Sequence, residues 1–218
     1  MGGLVQHKER SEAVRDKFIF TGSILWIIAT SVIVTILLAI PLFGLEIPLY
    51  HLTEAAQMSG SRLWHNFLVL MNYLLNPFIG TLKMPVFPSS TSGLKHFSEV
   101  KHLFMFALSL VVLLFPLFVL FIKDNLRIVF HNGLRFMMWL PILISLVAFL
   151  IGFDQFFLYF HEVLFRDNTW LFDPAKDPII DVLPEQYFMH TFLIFAIVYE
   201  AIFYGLYRKG YSRIKRMK

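Results

Sequence analysis

Cysteine is absent from the 218 residues, which excludes disulfides, thiolate metal sites and a cysteine nucleophile. Charge is scarce as well: 16% of residues are charged, against 57% hydrophobic and 17% aromatic. A soluble domain of this length cannot hide so much apolar surface, so lipid is the expected solvent for much of the chain. No G-x-S-x-G elbow is present, which leaves a serine nucleophile little support. His161-Glu162 is not followed by a second histidine four residues on, so the zincin spacing is missing and no metal is expected. There is no internal repeat. The net charge is +4, but it is divided among short segments flanking apolar runs. That pattern sets membrane orientation, and no nucleic-acid partner is expected.

Crossing a bilayer takes about 20 mostly apolar residues in a helix. Four runs qualify: Phe18 to Gly44, Leu103 to Ile122, Phe136 to Phe153 and Tyr187 to Tyr207. The first is too long for the apolar core of a signal peptide, and no small-x-small site follows Pro41, so it reads as a retained helix. The expected fold is all-α and membrane-integral, a single domain over residues 1–218. Its spans are about 18–44, 103–122, 136–153 extending to about 161, and 187–207. The outer loops 45–101 and 154–186 are expected to form a small extracytoplasmic cap.

Orientation follows from Lys and Arg. The N-terminal segment carries Lys8, Arg10, Arg15 and Lys17, and the turn after the second run carries Lys123, Arg127 and Arg135. The tail adds Arg208, Lys209, Arg213, Lys215, Arg216 and Lys218, bringing the three segments to 13 of the 19 basic residues. All three fall on one side of a four-span topology, which the positive-inside rule makes the cytoplasm. Most acids fall in the two outer connections. The cytoplasmic parts are too small for a domain, so any chemistry is expected at the outer face of the membrane.

Within the first outer loop, Arg62 to Leu75 is apolar and helical in pattern but too short to span, as an interfacial or re-entrant helix would be. Asn66 and Tyr73, seven apart, share one of its faces. Pro85, Pro88 and the run Ser89 to Gly93 then read as a turn-rich stretch. In the second loop, Asp173-Pro174 and Asp177-Pro178 each read as a helix start capped by the aspartate. A short helix is expected at Pro178 to Leu183, with Trp170 and Phe172 as interface anchors.

His96 and His161 stand where an outer loop meets a span. Histidine titrates near neutral pH and can move protons, so the pair suits acid–base chemistry. Interfacial histidines satisfied by water or headgroups are the plainer alternative. Asp154 lies seven residues before His161, on nearly the same face about 10 Å along the axis, and is expected to face the bundle or a wet cleft. His102, His190 and Glu200 are weaker candidates. A non-enzymatic membrane partner and a small transporter stay open on these residues alone; the transporter would need a polar track, for which Glu200 is the main candidate.

Two segments are more specific. Phe160-His161-Glu162-Val163-Leu164-Phe165, Asn168 to Pro174 (NTWLFDP), Asp177-Pro178-Ile179-Ile180 and Leu183-Pro184-Glu185 resemble the bacterial lipoprotein intramolecular transacylase family. Phe87-Pro88-Ser89 and His96-Phe97 with Glu99-Val100-Lys101 resemble its other motif, in which a His-Leu-x-Asp-Val form is also common. Phe97 and Glu99 stand here for Leu and Asp. Asn66 and Tyr73 resemble a further Asn-Tyr pattern of the first outer loop. The resemblance covers nearly the whole chain.

It implies an acyltransferase acting on a lipoprotein whose N-terminal cysteine carries a thioether-linked diacylglyceryl group. The sn-2 acyl chain moves to the α-amino group of that cysteine, giving the lyso form. His96 and His161 would be the two essential histidines, and Asn66, Tyr73, Glu99, Asp154, Trp170, Asp173 and Asp177 would support them or the substrate. The diacylglyceryl lipoprotein and membrane lipids are the expected partners, with no cofactor. The residues carry no signal for an oligomeric state.

Overall fold

Apolar runs of this length leave the backbone one economical structure, because polar groups in hydrocarbon must bond within the chain. The structure, a computed structural model, describes residues 2–217, but not the side chains of residues 2–5, 8 and 217; Lys218 and the side chain of Lys8 thus lie outside the described residues. The elements run α1 (Gly2–Leu49), α2 (Leu52–Ala55), α3 (Gly60–Leu75), α4 (Thr91–Lys123) and α5 (Leu126–Val129). They continue with α6 (His131–Ile151), α7 (Phe153–Leu164), a 3₁₀ turn (Pro178–Val182) and α8 (Glu185–Met217). Helices α1, α4, α6 and α8 are long and apolar enough to cross a membrane. Trp139, Phe149 and Leu150 of α6 and Val112 and Leu113 of α4 are exposed, a surface that suits lipid. The chain is an all-α integral membrane protein.

It packs as two compact units. The first comprises Met1–Val32, Ala107–Ile144 and Ala196–Lys218, and so contains the α4–α6 turn and the last turns of α8. Its core is built on close approach. A Cβ on Gly22 would lie 2.3 Å from Leu117 Cδ1, so glycine admits the α4 side chain to the α1 backbone. Trp26 stacks on Phe118 at 4.1 Å and donates its indole N–H to Val111 O at 2.9 Å. Tyr199 donates to Met137 O at 3.0 Å, joining α8 to α6.

The second unit comprises Ile33–Phe106 and Ser145–Phe195, and contains both long connections. Phe43 of α1 stacks on Phe67 of α3 at 3.9 Å, and Tyr187 of α8 meets both rings edge-on. The Tyr187 hydroxyl donates to Ala39 O at 3.1 Å. Glu46, 1% exposed, holds His190 Nδ1 at 2.7 Å. Helix α3 buries Leu63, Asn66, Phe67, Leu70, Met71, Tyr73 and Leu74 on one face. Its 16 residues make about 24 Å, short of a span. After it, the Lys101 ammonium sits 4.4 Å from the Tyr73 ring and donates to Asn76 O at 2.8 Å and to Ile79 O. One cation thereby gathers the stretch between α3 and α4.

Three elements differ from the sequence reading. Helix α4 begins at Thr91, inside the run read as turns, because Ser90 caps it: its Oγ accepts the Gly93 N–H at 2.9 Å. His96 is therefore on the helix rather than before it. The third span does not continue to His161. Gly152, at φ 86°, breaks the chain between α6 and α7, a conformation that glycine alone adopts cheaply. The short helix after Asp177 is a 3₁₀ turn, and the Asp177 side chain makes no capping bond to it.

Candidate active site

Two helix segments of the second unit carry the histidines, α4 in its second turn and α7 near its end. The rings of His96 and His161 lie 6.0 Å apart, centroid to centroid. They are near enough to act on one group, since reacting atoms must approach within about 3–3.5 Å. The chain between α7 and the 3₁₀ turn folds over them. Phe165 meets the His96 ring edge-on at 4.6 Å and Phe172 meets it at 5.4 Å. Phe157 and Trp170 flank His161 at 4.2 and 4.9 Å. The pair thus stands in an aromatic enclosure, with His96 8% exposed.

The hydrogen bonds decide what His161 can do. Its Nδ1 lies 2.8 Å from Phe157 O, one helical turn back. A carbonyl can only accept, so Nδ1 carries the proton and the neutral ring keeps its lone pair on Nε2. Burial holds His161 below its ordinary value of 6.5, and the Phe157 bond opposes this only in part. The result is a neutral base at physiological pH. Nδ1 of His96 is buried and has no hydrogen-bond partner among the described residues. Such an atom is costly in a folded protein and is found where substrate or strain is expected.

Charged groups fasten this enclosure from outside. Lys95 bonds Asp167, and Asp167 Oδ1 accepts the Thr169 hydroxyl at 2.6 Å and its N–H at 3.1 Å. The same hydroxyl lies 3.2 Å from Glu99 Oε2. Lys95 first, then Thr169, hold Asp167 down at about 2, so the clamp stays ionic through the physiological range. Asp177 fixes the start of α4. It is 2% exposed, and its two oxygens accept Ser90 N–H at 2.7 Å and Ser90 Oγ–H at 2.6 Å. A carboxylate there also complements the positive end of the helix. Gly93 is required beside it, because a Cβ would lie 2.2 Å from Asp177 Oδ1.

The family described as lipoprotein intramolecular transacylase Lit matches residues 17–188, more than half of the chain. The chain belongs to this family. It is similar to the membrane-integral lipoprotein intramolecular transacylase Lit of Bacillus cereus, with 26% identity and a TM-score of 0.83. That likeness covers 96% of this chain and 100% of the other. A structure of the same Bacillus cereus protein with a histidine replaced by alanine gives 26% identity and a TM-score of 0.77, covering 98% and 99%. No curated protein matches the chain by sequence.

The transacylase fold gathers some of the residues singled out from sequence and separates others. His96, His161 and Trp170 come together, and Phe172 packs on His96. Glu99 and Asp177 hold the elements that carry them. Asn66, fully buried, is bonded to backbone at both ends of its amide, donating to Arg62 O at 2.8 Å and accepting Val86 N–H at 3.0 Å. Tyr73 packs under Lys101. Asp154 is exposed in the first turn of α7, not turned into a cleft; there it complements the helix dipole beside the Gly152 break. Asp173 is an exposed turn residue, held below the usual carboxylate range by Lys176 and the Ala175 N–H. Among the described residues, no three His, Asp or Glu side chains gather as metal ligands would.

Ser90, Gly93, Lys95, Phe165, Asp167 and Thr169 were not assigned these parts from sequence. The signal present was local: serine followed three residues later by a main-chain donor at the head of an apolar run. The acid that completes this cap comes from 87 residues further on.

Proposed function

We propose that this transacylase moves the sn-2 acyl chain of a diacylglyceryl-cysteine lipoprotein to the α-amino group of the same cysteine, with His161 as base and His96 serving the ester. The reading is carried by the meeting of His161, whose free nitrogen is Nε2, with a buried His96 inside an aromatic enclosure. The α-ammonium gives a proton to His161 Nε2, and the freed amine attacks the ester carbonyl. As the C–N bond forms and the C–O bond breaks, the attacking nitrogen gives up a second proton; one of the two passes through the histidine pair to the departing sn-2 oxygen and the other is released to solvent. Nucleophile and electrophile belong to one substrate, so the reaction as written consumes nothing else. Holding amine against ester is worth about 7–11 kcal/mol in favourable geometry. The aromatic side chains suit the acylglyceryl group and exclude water, which would divert the acyl group to hydrolysis.

The site is assigned to the extracytoplasmic face of the bacterial cytoplasmic membrane, with both termini inside. The concentration of Lys and Arg in the N-terminal segment, the α4–α6 turn and the tail supports this.

A crossover experiment tests the reaction class. Two diacylglyceryl lipopeptides, differing in peptide sequence and in the isotopic mass of the sn-2 chain, are mixed with the purified protein. Each peptide should retain its own label, now as an amide. Exchange of labels between peptides, or release of free fatty acid as the main product, would reject the intramolecular mechanism.

The pH profile tests the base. Protonation of Nε2 inactivates His161, and burial pushes that protonation below the ordinary 6.5. The His161-dependent acid limb of kcat/KM should therefore lie below pH 6.5, with full base availability at neutral pH. An acid limb above that value would contradict a desolvated histidine base.

A further inference from the structure

The first unit contains a cavity of about 290 Å³ lined by Arg127, Arg208, Lys209, Ser212, Arg213 and Arg216. Five cations face it, and no acid is among its lining residues. The nearby Asp124 is paired with Arg15 at 3.0 Å. Arg208, Lys209, Arg213 and Arg216 are exposed and Arg127 is half-buried, yet all five line the same cavity. Arg127 and Arg213 both donate to the single Oδ1 of Asn125. Asn125 presents it from a left-handed turn at φ 55°. The approach is made possible by Gly210, where a Cβ would lie 2.7 Å from Arg127 O. Nε of Arg127 is buried and has no acceptor among the described residues. Burial, and then the charge of Arg213, pull the Arg127 guanidinium below its ordinary value. The cavity thus gathers like charges with no acid among its lining residues, and Asn125 alone accepts from two of them. An anion would offset them.

We propose that Arg127, Arg208, Lys209, Arg213 and Arg216 form a binding site for the phosphate group of an anionic phospholipid. Guanidinium forks match phosphate oxygens in geometry as well as charge. The position favours a lipid source. Tyr204 and Tyr211, both about half exposed, ring the same end of α8, and Arg208 lies 5.9 Å from the Tyr204 ring. Exposed tyrosines on a span mark headgroup depth. Basic pockets between spans on the side rich in Lys and Arg are suited to acidic headgroups. The cavity has room for phosphate with its glycerol. This site is independent of the acyl-transfer chemistry: none of its residues touches the histidine pair.

Native mass spectrometry of the full chain in detergent, with equimolar phosphatidylglycerol and phosphatidylcholine, tests it. One phosphatidylglycerol should be retained in preference to phosphatidylcholine. Arg127→Gln and Arg213→Gln should each weaken retention about fivefold, the ratio that corresponds to about 1 kcal/mol per basic side chain. Arg208→Gln with Arg216→Gln, which leaves the Asn125 contacts intact, should weaken it about 25-fold for the two side chains together and serves where the first pair unfolds. Equal retention of the two lipids, or an unchanged preference in the Arg208 and Arg216 double variant, would overturn the proposal. Inorganic phosphate is the competing source. Displacement of the lipid only at high phosphate concentration supports the headgroup; tight binding of phosphate alone, with no lipid adduct, would overturn the lipid assignment.

Discussion

His161→Ala is expected to lower the rate of acyl transfer by about 10²–10⁴-fold, the usual worth of a positioned general base. The reason lies in its hydrogen bonds. Phe157 O fixes the proton on Nδ1, leaving Nε2 as the basic atom, and burial keeps that atom free of protons near neutrality. Alanine also removes a ring packed between Phe157 and Trp170, so packing and chemistry change together. His161→Gln separates them. Glutamine fills much of the space and can still hydrogen-bond, but it has no nitrogen that titrates near neutrality. Both variants should be about equally inactive, with the glutamine form closer to the wild type in thermal stability. Activity preserved in His161→Gln would make the residue a packing element and remove it from the chemistry.

Asp177→Ala has the second-largest expected effect, and it acts at a distance. The carboxylate touches neither a histidine nor an expected position of substrate; it accepts two bonds from Ser90 at the head of α4. Hydrogen bonds to a charged group are worth about 1.5–3 kcal/mol each, and a buried donor left unpaired adds a desolvation cost. The loss of stability is therefore expected at about 2–4 kcal/mol, read from unfolding in detergent. Acyl transfer should fall as well, because His96 rides on the second turn of the helix so anchored. A displacement of about 1 Å can cost about 10²-fold in rate. Asp177→Asn should recover part of both, since its carbonyl still accepts the Ser90 N–H. Gly93→Ala should reproduce the defect by pushing on the carboxylate from the other side, where a Cβ would stand 2.2 Å from Oδ1. An Asp177→Ala protein with unchanged stability and rate would show that the anchor does not position His96.

Much of this was legible without coordinates, for physical reasons. Long apolar runs have one backbone solution in lipid, so the helical membrane fold follows from hydropathy. The motif around His161 carried the family. What escaped the sequence was pairing across distance. Ser89 to Gly93 has the composition of a turn, and only the acid from Asp177 shows why a helix starts inside it. Two Asp-Pro steps four residues apart look alike; one aspartate is an exposed turn residue, the other a buried anchor. Asp154 and His161 do share α7, but the break at Gly152 gives that helix its own start, and an acid at a helix start turns toward solvent at no cost. A single glycine in an apolar run does not announce such a break. Phe172 and Trp170 have the composition of an interfacial belt, and their contacts with the histidines depend on how the loop closes.

The most direct test is the state of a lipoprotein N-terminus in bacteria that lack such an enzyme and are given this chain. The product is an isomer of the substrate, so total mass is blind to the reaction, and fragmentation of the N-terminal lipopeptide by tandem mass spectrometry is the measurement. Cells with the wild-type chain should yield fragments in which the acyl group stays with the cysteine nitrogen and the glyceryl thioether carries one chain. Cells with well-expressed His161→Ala should yield the diacylglyceryl form with a free amine. A diacylglyceryl form that persists with well-expressed wild-type protein would contradict the account.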